Sequence, residues 1–541
     1  MNRRLFRALV LSGALLVPWT FPVHAQTAAP WTPAPLFARA QITQTTLPNG
    51  VRAVVKSTPN SADLVSIQVW VRGGSRAEKP GEEGLAHLLE VAAVSASKNQ
   101  PYSDGDDGGL NGAIRVVGGE SGSLTSRDST FYSATVNAAD WGRALNALAD
   151  SVLRPDLSPP AITRAKLLVA NELIGQTFSA AAQVSDLAYQ TAFPKHPYGH
   201  STVGSEDTLG AFNAARARAF YDRQYVGKNI SVVIVGQVPA AEAAAAVGRA
   251  FAEASSKNPV AIDPVAGPLP AKREADQKAP VQSEALALAW RSPGIKDPKD
   301  VAAMDTLLAL WREGADANLR RLLMRDGPDG ALKPLVASYD VDYLTQRDSG
   351  LVLVTLAGVE DRDATVKTVE DEVKRLQTQG PTPAELERAR ELLRRQYIEQ
   401  SEGPAGQAGA LGFYEMIDTY QFAIDYPALT AAVTASDIQR IAGQYLAPAK
   451  EIRAEIEPLP RPLPGNPQNP DDADGGGAIT ASWNRQERGG ADASFQSSGL
   501  LRNKDWKRAS APLALASFQL SRSQQPDWKR EQAPLTAEVA N

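Results

Sequence analysis

The chain has 541 residues, a formal net charge of −5, 43% hydrophobic residues and no cysteine. That length predicts two to four domains. The mild acidity without a basic tract excludes a nucleic-acid binder, and the lack of cysteine excludes disulfides and thiolate chemistry.

Arg3, Arg4 and Arg7, the apolar run from Ala8 to Val17 and the small-x-small site Val23-His24-Ala25 read as a secretory signal over residues 1–25. The apolar run falls well short of the ~20 residues needed to span a bilayer. No later stretch reaches that length, so no transmembrane segment is expected. An exported, cysteine-free chain of this size suits the bacterial periplasm, where a large core supplies stability without staples. Residues 26–40, rich in Ala, Pro and Thr, read as an extended lead.

Leu47-Pro48-Asn49-Gly50 has the form of a hairpin turn, with a strand from Val51 to Val55 after it. Leu64 to Val71 alternates apolar and polar residues and reads as the next strand, which Gly73-Gly74-Ser75 leads out of. A helix from about Glu82 to Val94 presents His87, Glu90 and Val91 on one side. Two histidines four apart on such a face can hold a metal, with a glutamate between them as general base. Here the second position is Val91, which has no lone pair to give. Asn99 to Gly109 reads as an acidic, glycine-rich loop that lacks the register and closing glutamate of a calcium loop.

Ser158, before Pro159-Pro160, caps a helix with Ala165, Leu168, Val169 and Glu172 at helical spacing. Phe212 to Tyr225 reads as a helix, Ile230 to Val235 as a strand ended by Gly236, and Ala240 to Ala254 as a helix. These elements make a first domain over 41–257, followed by a proline-rich linker over 258–280. A second domain over 281–457 repeats the element order. It has a strand at Ser283–Trp290, helices at Asp300–Trp311 and Leu319–Met324, and a strand at Leu351–Leu356. Helices at Asp363–Gln377, Thr382–Gln400 and Thr434–Tyr445 complete it. The Thr382–Gln400 helix corresponds in order to the Glu172 helix, without a ligand residue. Residues 458–541 form a Pro/Gly-rich spacer and tail with two Asp-Trp-Lys-Arg repeats, at Asp505 and Asp527.

Leu47-Pro48-Asn49-Gly50-Val51, Gly73-Gly74-Ser75-Arg76-Ala77-Glu78 and Gly84-Leu85-Ala86-His87-Leu88-Leu89-Glu90 occur in that order. So do Thr125 to Tyr132, Ala170-Asn171-Glu172-Leu173, His196-Pro197-Tyr198-Gly199 and Val203-Gly204-Ser205. Together they resemble the insulinase, pitrilysin and mitochondrial-processing-peptidase family (M16), inverted zincins with the signature His-x-x-Glu-His. The resemblance covers about residues 41–460. It implies an α+β fold of two homologous LuxS/MPP-like domains, each an antiparallel-rich sheet packed with helices.

The resemblance also places His87 and Glu172 at metal-ligand positions and Glu90 at the general-base position, with Val91 replacing the second histidine. A degenerate member is therefore expected, with no catalytic residue and no metal in this chain. His200 is the one conceivable replacement ligand, in a separate segment. Gly122, Ser123, Leu124 and Thr125 match the family's peptide-gripping edge strand, with Gly122-Ser123 in place of Asn-Ala. Thr125, Arg127, Asp128, Thr130 and Tyr132 are assigned to turn and strand structure. Met324 aligns with the family's substrate-holding arginine of the second domain; Arg325 takes that place only after a one-residue slip, and Leu332 then stands where a tyrosine is expected.

The resulting expectation is a non-catalytic subunit of an exported zinc metallopeptidase. It would form a heterodimer with a homologous subunit that carries the intact motif and the zinc, around peptide or unfolded-protein substrates. The alternatives are an active zinc endopeptidase with an altered ligand set, and a structural or peptide-binding envelope protein without hydrolysis.

Overall fold

Gly50 adopts a left-handed φ of 91°, and its N–H bonds to the Leu47 carbonyl at 2.9 Å, closing the predicted Asn-Gly turn. The turn joins strands β1 (Ile42–Thr46) and β2 (Arg52–Ser57). The structure, a computed structural model, describes residues 41–58, 63–103, 108–262, 271–312, 317–324 and 334–459. The signal, the lead, Arg325, Leu332 and the tail repeats lie outside the described residues.

The first half continues with β3 (Leu64–Arg72), α1 (Leu85–Ser95), α2 (Gly109–Val116), β4 (Glu120–Thr125) and β5 (Ser129–Asn137). It then runs through α3 (Trp141–Leu153), α4 (Pro159–Thr177), α5 (Ala180–Ala192), α6 (Glu206–Ala211), α7 (Ala214–Gln224), β6 (Ile230–Gly236) and α8 (Ala240–Ala250). The second half comprises β7 (Arg273–Ala279), β8 (Ala285–Arg291), α9 (Pro298–Arg312), α10 (Asn318–Leu323), β9 (Val336–Tyr343) and β10 (Leu351–Val359). It ends with α11 (Arg362–Thr378), α12 (Pro383–Gln400), α13 (Pro404–Ile417), α14 (Gln421–Ala432), α15 (Ala435–Tyr445) and β11 (Ile452–Pro458).

The first sheet has the order β1-β2-β6-β3-β5-β4 and the second β7-β11-β8-β10-β9. In each, one parallel pair (β2 with β6, β7 with β11) joins an otherwise antiparallel sheet. Without β1, the two orders are the same, so the repeat of elements in the sequence is a repeat of topology. The predicted linker over 258–280 reaches too far, because Arg273–Ala279 is the edge strand β7. Its alternating charges hid it, and charged edge strands discourage sheet-to-sheet pairing.

Each sheet is buried on both faces, which explains why β6 and β8 read as continuous apolar runs. One face carries helices of the same half, including α1, α3 and α8 on the first sheet. The opposite faces are covered reciprocally. Helix α13 of the second half lies on β3 and β6, packing Leu411 and Tyr414 into a core with Trp70, Phe131 and Val233. Helix α5 of the first half lies on β8 and β11, packing Val184 and Ala188 into a core with Ala287, Ala289 and Ala454. At Gly412 an added Cβ would overlap the Trp70 indole nitrogen, so the approach of α13 requires a glycine there.

Candidate functional site

Helix α1 starts where two chain segments cross. Gly84, with φ of 93°, faces the Val203 carbonyl, and Gly204, with φ of 83°, faces the Glu83 carbonyl; a Cβ on either would overlap backbone. The buried Glu78 carboxylate receives the N–H groups of Gly84 at 3.0 Å and Ala86 at 2.6 Å, satisfying the first turn of α1. Burial pushes the Glu78 carboxyl well above its usual range, and the two backbone bonds oppose that rise. His200 Nε2 lies 3.6 Å from Glu78 Oε2, and its Nδ1 lies 3.0 Å from the Ser201 carbonyl. Burial lowers the His200 pKa. Its partners thus support the start of α1, and neither is His87 or Glu172.

Leu85, Ala86, Leu88 and Leu89 face the core, which holds α1 in rotation. Helix α4 begins at Ser158, whose hydroxyl accepts the Ala161 N–H at 3.4 Å, and packs along α1. The packing brings Glu172 onto His87. His87 Nε2 lies 2.9 Å from Glu172 Oε2, and Nδ1 lies 3.1 Å from Glu90 Oε2. Glu90 is buried, while the Glu172 side chain is 45% exposed at the mouth of the site. Burial pulls the His87 pKa down, but the bonds to Glu172 and Glu90 outweigh it and raise it to about 10. Each ring nitrogen thus faces a carboxyl oxygen, an arrangement that favours the charged form of the ring.

Val91 is buried in the core beside these residues. Among the described residues, no group of three or more His, Asp or Glu side chains is disposed to hold a metal ion. The donors do not fit zinc: with Glu90 kept as base, His87 and Glu172 supply two of the three protein ligands a catalytic zinc needs. The chemistry open to the trio is a charge-assisted hydrogen-bond bridge between α1 and α4.

Strand β4 is the outer strand of its sheet and packs beside α1. Within it Gly122 pairs with Ser133, Ser123 with Tyr132, Leu124 with Phe131 and Thr125 with Thr130. The four predicted edge residues therefore lie on the strand beside α1, the helix that carries His87. The β5 side of the strand is occupied, and among the described residues the other side borders no strand.

Arg127 and Asp128 lie in the turn between β4 and β5, as their assignment to turn and strand structure has it, and their side chains also reach beyond it. Asp128 accepts the Tyr198 hydroxyl at 2.6 Å and the backbone N–H of Arg347, in the second half, at 2.9 Å. Arg76 reaches Asp348, also in the second half, at 2.6 Å. Arg127 lies 3.4 Å over the Tyr189 ring and bonds the Tyr198 carbonyl. Three quoted motifs, around Arg76, Asp128 and Tyr198, thus converge on the junction of the halves. Nothing in their local pattern points there, because the partners lie about 150 to 270 residues away.

The duplicated sheet-and-helix domain, with its His-x-x-Glu helix packed on a glutamate-bearing second helix, defines the inverted-zincin class of peptidase folds. The chain belongs to the M16 peptidase family. The profile described as insulinase (peptidase family M16) matches residues 52–206, and that of the peptidase M16 inactive domain matches residues 211–393. The zinc protease PqqE of Helicobacter pylori is 25% identical over 464 residues, covering 84% of this chain and 98% of its own. The beta subunit of the mouse (Mus musculus) mitochondrial-processing peptidase is 27% identical over 433 residues, covering 77% and 85%. In fold, a crystal structure of a protease from Helicobacter pylori superposes with a TM-score of 0.71 at 22% identity, covering 77% of this chain and 99% of that one. A peptidase M16 inactive domain from Pseudomonas fluorescens gives 0.68 at 19% identity, covering 78% and 100%. Among the described residues no helix is long and apolar enough to cross a membrane.

Proposed function

We propose that this chain is a non-catalytic M16-type subunit, exported to the periplasm, that completes the peptide chamber of a homologous zinc-bearing partner. The observation that carries the reading is Val91 at the second ligand position, beside a His87 ring held at both nitrogens by Glu90 and Glu172. A zinc binding His87 Nε2 would have to displace its contact with Glu172, would leave the Nδ1–Glu90 contact in place, and would gain two protein ligands. The partner supplies the intact His-x-x-Glu-His motif and the zinc. This chain supplies a chamber wall, with β4 at its rim and Arg325 from the second half as a substrate contact. Peptides or unfolded proteins are the substrates of the pair.

The test is co-expression with an exported homologue that carries the intact motif. Zinc content and cleavage of an unstructured peptide are measured for each chain alone and for the mixture. Turnover is expected in the mixture and none from this chain alone. Stoichiometric zinc and turnover by this chain alone, abolished by Glu90→Gln, would overturn the proposal.

A further inference from the structure

The second half has its own counterpart of the α1–α4 pair. Helices α9 and α12 pack together after equivalent strands. Gln396 follows the α12 cap Thr382 by the same fourteen positions that separate Glu172 from the α4 cap Ser158. Asp305 lies at the middle of α9, the helix that follows the second strand of the repeat as α1 does, whereas His87 lies in the first turn of α1.

These two positions line one cavity, together with Arg312, Gln400, Tyr414 and Tyr426. The space open to the centres of water-sized molecules is about 20 Å³. Roughly 10–15 Å³ on that measure holds one water. The Tyr426 hydroxyl donates to Asp305 Oδ2 at 2.8 Å, and Arg312 Nε donates to the Val341 carbonyl at 2.8 Å. Two atoms are left over: Arg312 Nη2 and Gln400 Oε1 are buried and have no hydrogen-bond partner among the described residues. One is a donor and the other an acceptor, and leaving either unsatisfied is costly.

The charges select the guest. Asp305 disfavours an anion and Arg312 disfavours a cation, whereas a small neutral molecule that both donates and accepts suits both. We infer that this cavity is a solvent site, holding one or two ordered waters that accept from Arg312 Nη2 and donate to Gln400 Oε1 and Asp305. The waters bridge α9 to α12, as the His87–Glu172 contact bridges α1 to α4. The duplicated helix pair thus keeps a polar bridge in both halves, made of side chains in one and of solvent in the other.

The test is a crystal structure of the full chain at a resolution that shows ordered solvent, with a second crystal soaked in rubidium chloride and a third of Gln400→Met. One or two waters within hydrogen-bond distance of Arg312 Nη2 and Gln400 Oε1 are expected, with no anomalous rubidium peak. In Gln400→Met the water bound to Gln400 is lost while the Tyr426–Asp305 bond remains. A rubidium peak in the cavity, side chains closing it, or an unchanged water set in Gln400→Met would each overturn the inference. The first two outcomes do not depend on the variant folding.

Discussion

Arg76, early in the connection between β3 and α1, places its Nη2 2.6 Å from Asp348 Oδ2 in the other half, and both side chains are less than 10% exposed. Asp128 stands 4.0 Å from the same guanidinium and is tied to Tyr198 and to the backbone of Arg347. One cation thus serves two buried carboxylates, one from each half. Breaking a buried pair by removing one partner costs about 3–5 kcal/mol, because the charge left behind is uncompensated. Arg76→Ala is expected to lower the free energy of unfolding, measured in urea, by an amount in that range. Asp348→Ala should cost less, since Asp128 remains to pair with Arg76. Equal losses in equilibrium unfolding of the two variants would refute the shared-cation account.

Gly412 sets how closely α13 approaches the first sheet. A methyl there would overlap the Trp70 ring, which is fully buried and stacked on Phe131 with centroids 4.5 Å apart. In an exposed helix, Gly→Ala stabilises by up to about 1 kcal/mol. Here overpacking reverses the sign, and Gly412→Ala is expected to destabilise by roughly 1–3 kcal/mol. Thermal unfolding of the variant checks this; a raised midpoint would show that α13 can move away freely.

Glu78 holds the start of α1 through two backbone N–H groups. In Glu78→Ala those buried donors lose their acceptor, at a cost of about 1–3 kcal/mol. Glu78→Gln keeps one acceptor oxygen and should recover part of the loss. Hydrogen exchange at Gly84 and Ala86 reads the effect locally, and unchanged protection in Glu78→Ala would remove the capping role.

Asp305 is partly buried, and its removal from water raises its carboxyl to about 6, with the Tyr426 bond and the Arg312 charge opposing the rise. The folded state therefore holds this proton more tightly than the unfolded state, whose carboxyl titrates near 3.8. The stabilisation is fully present below that value and is lost as pH climbs through about 6. Asp305→Asn cannot ionise, so the stability difference, variant minus wild type, is expected to grow in favour of the variant across that window. Denaturant unfolding at a series of pH values measures the difference, and a flat difference curve would dismiss the raised carboxyl.

The sequence reading located the local elements well where one periodicity dominated. The strand Leu64–Val71, the helix around His87 and the capped helix from Ser158 all stand within a few residues of their predicted limits. It missed the two helices that cross between halves. Helix α13, Pro-Ala-Gly-Gln-Ala-Gly-Ala-Leu-Gly-Phe-Tyr-Glu-Met-Ile, is buried over most of its length and shows no polar face to set a period. Helix α5 is rich in alanine and small residues, which pack closely on a sheet but carry little hydrophobic contrast. A helix enclosed by another domain's sheet loses the amphipathic stripe by which helices are recognised.

The candidate site divides in the same way. The duplication, the order of the strongly periodic elements and the residue at position 91 are legible in the chain alone, because covalent order and side-chain chemistry need no fold to be known. The sequence also named His87, Glu90 and Glu172 as a set. Only the tertiary structure decided what that set does, because the contact of Glu172 with His87 spans 85 residues and depends on how α4 lies against α1. The same holds for Arg76 and Asp348, 272 residues apart. Which charges meet is fixed by the packing of sheets and helices, and no local pattern encodes it.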